Sequence, residues 1–267
     1  MPTDPESLRV ALGAGPPCFP VTHAREDFGF AADAYREHVA WQTSFDVGCV
    51  FAAGGTGEFP ALTPPEVDDV VRAAVEASER PVIAPAGYTT PHAVAMARDA
   101  EEAGAAGVFL LPPYLAALDQ DDLTEHVGAV CAATALGVVV PAGITVDDCP
   151  NLVPFPDGEP FPGVHTRLSA ALPTLLGQLV NFAPRVTVGL HTALHEGDAA
   201  SVHRTLDEFV LPYLELRDRR AGYAVATVKA ALTAVGRPAG PVRPPLSDLS
   251  PTEFGELKAL LEKVKVA

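Results

Sequence analysis

Lysine is scarce in this chain of 267 residues, where only four occur: Lys229, Lys258, Lys263 and Lys265. This distribution excludes any mechanism that needs a lysine amine from a residue before Lys229. Lysine and arginine together number 18 against 34 acidic residues, so the net charge is −16. A surface of that sign repels phosphate backbones, which argues against a nucleic-acid partner but still allows a small anionic ligand in a local site.

Long apolar runs and cysteine motifs are also missing. No apolar stretch reaches the roughly 20 residues that a membrane span needs, so no membrane partner is expected. The cysteines show no Cys-x-x-Cys pair or metal-ligand spacing, which predicts reduced thiols and no metal or other cofactor. They are Cys18, Cys49, Cys131 and Cys149. Residues 1–6 are polar and acidic and do not resemble a secretion signal, which predicts a cytoplasmic protein.

The apolar residues make up 48% of the chain, enough to bury a large core. In the first half, short apolar runs alternate with longer segments of helical periodicity. The predicted strands are 18–21, 47–53, 82–86, 107–111 and 136–140. The predicted helices between them are 31–43, 64–78, 91–103 and 121–133. Repeated βα units with apolar strands indicate a buried parallel sheet, in a (β/α)₈ barrel or a doubly wound fold.

The alternation of strands and helices stops at Pro141. Seven prolines lie within 141–173, and only 11 residues separate Val140 from Leu152. Because proline fixes φ and removes a backbone donor, we expect irregular or extended chain over 141–177. Helical periodicity returns afterwards, in segments 184–195, 198–216, 223–235 and 251–264. These patterns predict a (β/α) barrel over 1–195 and a helical extension over 196–267.

The most specific local motif is Phe-Ala-Ala-Gly-Gly-Thr-Gly-Glu-Phe at 51–59, between a predicted strand and a predicted helix. In parallel α/β folds that position is the ligand-binding end of the sheet. Glycines at 54, 55 and 57 allow close backbone approach, and consecutive N–H groups with the Thr56 hydroxyl are able to hold a carboxylate or phosphate. The simpler interpretation is a tight glycine turn that only joins strand to helix.

This motif resembles the carboxylate loop of the dihydrodipicolinate synthase and N-acetylneuraminate lyase superfamily. Within it, the chain is most similar to the 5-dehydro-4-deoxyglucarate dehydratases. Further resemblance is carried by Phe-Pro-Val-Thr at 19–22, Leu-Leu-Pro-Pro-Tyr-Leu at 110–115 and Cys-Pro-Asn-Leu-Val at 149–153. The segment LPYLELRDRRAGYAVATVKAALTAVGRPAGPVRPPLSDL at 211–249 is the most diagnostic, because it resembles the dehydratase subgroup in particular.

The resemblance implies a (β/α)₈ barrel with extra C-terminal helices, assembled as a homo-oligomer. It implies dehydration and decarboxylation of 5-dehydro-4-deoxyglucarate, a small anionic sugar acid, to 2,5-dioxopentanoate. In the family a barrel lysine forms a Schiff base with the 2-oxo group and a tyrosine relays protons. The resemblance assigns substrate binding to the loop residues and to the fourth-strand tyrosine. These are Gly54, Gly55, Thr56, Gly57 and Tyr114.

The chain departs from the family pattern at both chemical positions. Pro156 stands where the family has its Schiff-base lysine, and Pro141 stands where it has the proton-relay tyrosine. Segments around strands 5–7 are also shortened, which predicts an incomplete barrel. Three explanations stay open. The chain is a dehydratase; or it is an inactive homologue, which is a decayed copy, a 2-oxo-acid-binding module or a subunit that assembles with an intact relative; or a frame or sequence error across 141–177 hides a normal enzyme.

Three other groups of residues are candidates for chemistry. Lys229 is the single lysine available as a substitute Schiff-base former, although an ion-paired helix lysine is the simpler interpretation. His191 and His195 lie four apart, but Glu196 follows the second, so the pattern is not that of a His-Glu-x-x-His metal site. The cluster at 217–220 is typical of a helix end that forms intersubunit ion pairs.

Overall fold

The computed structural model describes residues 4–112, 119–141, 144–156 and 158–265. Its strands are β1 Val50–Phe51, β2 Val82–Ala86, β3 Gly107–Leu110, β4 Gly137–Val140 and β5 Leu152–Pro154. The helices of the first part are α1 Pro5–Gly13, α2 Ala32–Thr43, α3 Pro64–Ala77, α4 Thr90–Glu102 and α5 Gln120–Ala133. Those that follow are α6 Thr166–Leu179, α7 Pro184–Glu196, α8 Ala199–Thr205, α9 Leu211–Arg217, α10 Tyr223–Ala234 and α11 Pro251–Val264.

The strands form one parallel sheet in the order β1-β2-β3-β4-β5. Cys18 adds a sixth position by a parallel bridge to Val50. The residues of β2 and β4 are buried throughout, as expected for a parallel sheet covered on both faces. Valines and alanines of α3 and α4 pack against the outer face of the sheet. This arrangement confirms the predicted βα units and the parallel α/β sheet of a TIM-barrel type of fold.

Helix α1 was not predicted from the sequence, because its short apolar pattern is not distinctive. Asp4 caps it by accepting hydrogen bonds from the N–H groups of Glu6 and Ser7. Its fully buried Leu8 packs against the backbone of β3 and β4, where a side chain at Gly107 or Gly137 would come within 2.7 Å of a Leu8 methyl group. The helix therefore closes the amino-terminal end of the sheet.

The expectation of irregular or extended chain over 141–177 is wrong for 166–179, where α6 forms despite the internal Pro173. Extended chain is present at β5, which pairs with β4. An interior proline costs about 3 kcal/mol, but burial of four leucines contributes about 1.5–3 kcal/mol each, so burial prevails. Those leucines are Leu172, Leu175, Leu176 and Leu179.

Counted from the bridge at Cys18, β4 and β5 are the fifth and sixth strands, and no further strand follows β5 among the described residues. This agrees with the shortened segments expected around strands 5–7. The connection from β4 to β5 contains no helix among its described residues 144–151. Asn151 fixes it by donating hydrogen bonds to the carbonyl groups of Cys131, Thr134 and Leu136.

Helix α6 and the residue Asn181 cover the edge that the missing strands leave open. The N–H of Phe19 donates to the carbonyl of Gly177 at 3.0 Å. The Asn181 carboxamide donates to the carbonyl of Phe19 at 2.9 Å and accepts from the N–H of Val21 at 3.0 Å. One buried side chain thus forms two of the hydrogen bonds that a neighbouring strand would form.

The C-terminal helices share a second core with α6 and α7. Its largest fully buried rings are Phe182, Phe209 and Tyr213, and a π-helical turn at Leu206–Val210 joins α8 to α9. Within the described ranges, every helix is too short or too polar to reach across a lipid bilayer.

Replacing Asn181 with alanine is expected to destabilise the fold strongly. The change leaves the buried backbone groups of Phe19 and Val21 without partners, at about 1–3 kcal/mol each. Urea unfolding should show a lower midpoint with an unchanged slope. Glu125→Ala, at an exposed position on α5, is the control and should leave the midpoint in place. A wild-type midpoint for Asn181→Ala would contradict the role given to this carboxamide.

Two buried histidines make stability depend on pH. Burial lowers the pKa of His23 to about 4 and that of His38 to about 3, and each ring lies close to the other. Unfolding returns each pKa to about 6.5, so the unfolded chain binds more protons and stability falls as pH drops below that value. Between pH 8 and pH 5 the loss is about 2 kcal/mol per histidine.

His38→Gln should therefore reduce the difference in unfolding free energy between pH 8 and pH 5 by about 2 kcal/mol relative to wild type. The measurement is a set of urea titrations across that range. His92→Gln, at an exposed histidine on α4, is the control and should retain the wild-type pH dependence. If the unfolding free energy changes equally between pH 8 and pH 5 in His38→Gln and in wild type, the fold does not hold His38 neutral.

Candidate functional site

The glycine-rich loop follows β1 at the carboxyl end of the sheet, as predicted. Ala53 and Glu58 bound it in left-handed conformations, with φ of 49° and 62°. Gly57 is required by close approach, since a Cβ there would lie 3.0 Å from the Cα of Ala53. The hydroxyl of Thr22 donates to the carbonyl of Gly57 at 2.7 Å. The loop backbone is thus held by local geometry and by the first strand segment.

Two backbone hydrogen bonds turn the loop back on itself and leave other groups available. The N–H of Glu58 donates to the carbonyl of Gly55, and that of Phe59 to Gly54, both at 3.1 Å. Within the described ranges, the N–H groups of Gly55 and Thr56 and the Thr56 hydroxyl have no hydrogen-bond partner. Consecutive unpaired donors of this kind suit an anionic oxygen.

These donors border a cavity of about 420 Å³, within the range of small-molecule sites. Its floor is a cluster of phenyl rings with centroids 4.8–6.3 Å apart, from Phe19, Phe51, Phe109 and Phe155. Helix α6 forms one wall and contributes Thr174 and Gln178, which lie one turn apart. The sequence analysis missed these two because the surrounding prolines concealed the helix.

The cavity brings together the loop and the two proline positions. Gly54, Gly55, Thr56, Pro141 and Pro156 all line it, whereas Gly57 supports the loop from behind. The remaining predicted binding residue, Tyr114, lies outside the described residues. Of the residues described along the wall, none carries an amine, an imidazole or a carboxylate.

Lys229 is paired elsewhere. It lies on α10 with its side chain 2% exposed, and its Nζ is 2.6 Å from Glu58 Oε1 and 2.8 Å from the carbonyl of Pro241. Burial lowers the pKa of Lys229, and the facing carboxylate of Glu58 opposes that shift. The amine sits behind the loop and does not line the cavity. This placement supports the interpretation of Lys229 as an ion-paired helix lysine.

Arg243 holds the same loop from the C-terminal linker, a residue that the sequence analysis did not single out. Its backbone N–H donates to Glu58 Oε2 at 2.7 Å, and its guanidinium donates to the carbonyl of Ala61 and to Glu66 Oε1. The Arg243 guanidinium lowers the pKa of Glu66 to about 2. No sequence motif signals these contacts, because about 180 residues separate the partners.

The other candidates from the sequence lie away from the cavity. The His191 and His195 rings are tilted by 35° with centroids 4.2 Å apart, and burial lowers the pKa of His191 to about 4. In the described part of the chain, no group of three or more His, Cys, Asp or Glu side chains forms a metal site. Arg217 pairs with Asp218, and Arg219 with Glu256.

The fold defines an α/β protein of TIM-barrel type, in which a glycine-threonine loop with unpaired N–H groups borders a cavity at the carboxyl end of the sheet. The profile of the dihydrodipicolinate synthetase family matches residues 18–142. A "Probable 5-dehydro-4-deoxyglucarate dehydratase" from Rhodococcus jostii is 45% identical, over 97% of this chain and 98% of its own length. A protein of the same name from Saccharopolyspora erythraea is 46% identical, over 97% of this chain and 96% of its own length. The chain therefore belongs to the dihydrodipicolinate synthetase family.

Solved structures agree on the fold. The crystal structure of dihydrodipicolinate synthase from Bacillus clausii superposes with a TM-score of 0.81 at 22% identity, covering 97% of this chain and 99% of that one. The alignment with the Rhodococcus jostii relative runs over 298 positions, more than the 267 residues present here. The relatives therefore carry residues that this chain lacks.

Borohydride treatment in the presence of pyruvate should leave no adduct on Lys229. A Schiff base needs a free amine that reaches the ketone, and the Lys229 amine is buried against Glu58 behind the loop. Intact-mass analysis with peptide mapping measures the outcome. The Lys229→Met variant is the control, because any adduct that it forms comes from slow reaction at exposed lysines such as Lys258. A reduced pyruvyl adduct at Lys229 in the wild-type protein would contradict this placement.

Proposed function

We propose that this protein binds an acyclic sugar acid of the kind that its dehydratase relatives are named for, and does not convert it through a Schiff base. The single observation that carries the proposal is the composition of the cavity. It retains the anion-binding loop at Gly54–Thr56, while prolines occupy the two positions that the resemblance assigns to chemistry. The ligand class is taken from the name of the relatives, which gives 5-dehydro-4-deoxyglucarate as their substrate.

The geometry supports binding of a carboxylate at the loop. A carboxylate oxygen at the mouth of the cavity would meet the N–H groups of Gly55 and Thr56 and the Thr56 hydroxyl, and charge-assisted bonds of this kind are the stronger hydrogen bonds. Thr174 and Gln178 on α6 face the same space and are suited to the hydroxyl groups of a sugar acid. The net charge of −16 weakens long-range attraction of anions, so affinity depends on these local donors.

The same geometry argues against turnover by the family mechanism. Pro156 and Pro141 line the cavity, and a pyrrolidine ring neither forms an imine from its amide nitrogen nor transfers a proton. Elimination of water needs a group that removes a proton and one that protonates the leaving hydroxyl. The cavity wall provides neither among the residues described.

Dehydratase activity is the second candidate, and identity of 45% over nearly the whole length of the relatives favours it. In that case a residue outside the described ranges, such as Tyr114, would have to act on the substrate. Incubation with 5-dehydro-4-deoxyglucarate and measurement of released carbon dioxide distinguishes the two. Release above the uncatalysed rate would establish the second candidate and overturn the first.

Thr56→Val should weaken sugar-acid binding about tenfold to a hundredfold, because a hydrogen bond to a charged group contributes about 1.5–3 kcal/mol. Isothermal titration with 5-dehydro-4-deoxyglucarate measures the effect, and sorbitol, which has no carboxylate, should not bind. Thr252→Val, at an exposed threonine on α11, is the matched control and should bind like wild type. Equal affinity for Thr56→Val and Thr252→Val would contradict the loop as the anion site.

A further inference from the structure

The Lys229–Glu58 pair is enclosed to a degree that other ion pairs in the described chain are not. Its side chains are 2% and 1% exposed, whereas Arg243 and Glu66 in the neighbouring pair are 9% and 26% exposed. Withdrawing two charges from water costs several kcal/mol per ion, which is offset only when the remaining donors and acceptors are satisfied. Here Glu58 Oε2 accepts from the Arg243 N–H, and Lys229 Nζ also donates to Pro241.

Such a pair is weak evidence for stability, because apolar side chains of similar volume often replace it without loss. What it does determine is geometry. Glu58 has a left-handed backbone conformation, with φ of 62°, that costs a non-glycine residue roughly 1–2 kcal/mol. The pair holds Glu58 in this conformation, and the N–H of Glu58 in turn closes onto the carbonyl of Gly55. The loop turn therefore depends on where the carboxylate of Glu58 is anchored.

We propose that Lys229 and Glu58 are positioning residues, which orient the N–H groups of Gly55 and Thr56 toward a bound carboxylate. Lys229 lies on α10 and Pro241 in the linker that follows it, so the C-terminal part of the chain sets the shape of a binding loop near the first strands. The amine itself does not touch the ligand. This role in binding rests on the proposed function, whereas the effect on the loop backbone does not.

The test measures the loop backbone and the ligand separately. Lys229→Met removes the anchor, and amide hydrogen exchange of residues 54–59 should become roughly tenfold faster or more, with no ligand present. The dissociation constant for 5-dehydro-4-deoxyglucarate should rise about tenfold or more. Lys229→Arg keeps a charged donor at this position and should recover part of both effects.

A control of equal instability separates positioning from general destabilisation. Leu257→Ala creates a cavity at a fully buried residue of α11, outside the loop, and should lower the melting temperature without changing exchange at 54–59 or the affinity. Should Lys229→Met fail to fold, Glu58→Gln keeps the side-chain shape, removes one charge and enters the same comparison.

The outcomes separate the two proposals. Faster exchange at 54–59 in the Lys229 variant, beyond that of Leu257→Ala, supports the positioning role even where wild type binds no sugar acid, a result that overturns the proposed function alone. Exchange equal to that of Leu257→Ala overturns the positioning role, whatever the affinity of the wild type.

Discussion

A parallel sheet that ends before its barrel closes leaves backbone donors and acceptors exposed to the interior, and the fold depends on how these are satisfied. Unpaired buried peptide groups cost about 1–3 kcal/mol each, so a bare edge at Phe19 and Val21 would remove a large part of the stability of a small domain. Asn181 and the carbonyl of Gly177 supply the partners. The leucines of helix α6 are then buried in the second core, with Val21 and the C-terminal helices.

This solution also decides what the cavity contains. In place of the strands that a complete barrel would have, α6 forms a wall and contributes Thr174 and Gln178. The phenyl rings below them fill the interior, and the loop donors remain at the rim. The result is a site with hydrogen-bond donors for an anion and, among the described wall residues, no group that exchanges protons near neutral pH. On the proposal above, this chain keeps the binding part of the family pattern without the groups that would carry out its chemistry.

Local sequence signals predicted the first half of the fold well. Strand β2 has the predicted bounds, and α3, α4 and α5 differ from prediction by one or two residues at most. The signals failed where long-range burial outweighed local preference. Pro173 opposes a helix, yet the apolar face of α6 is buried in the second core. Helix α1 was missed because its short apolar pattern is weak by itself. Its Leu8 is buried against the backbone of β3 and β4, and that contact exists only in the folded chain.

By itself, the sequence determined that no lysine precedes Lys229, that prolines stand at positions 141 and 156, and that a glycine-threonine loop follows an apolar strand. Residue identity suffices for such statements, because the chemistry of an amine or a pyrrolidine ring does not depend on the fold. The tertiary structure alone decided that the Lys229 amine meets Glu58 behind the loop, that Arg243 reaches the same carboxylate, and that Asn181 completes the sheet edge. These contacts join residues more than 150 positions apart. Their geometry is set by burial in the folded chain, and the local hydrophobic periodicity of a sequence does not show which distant residues are buried together.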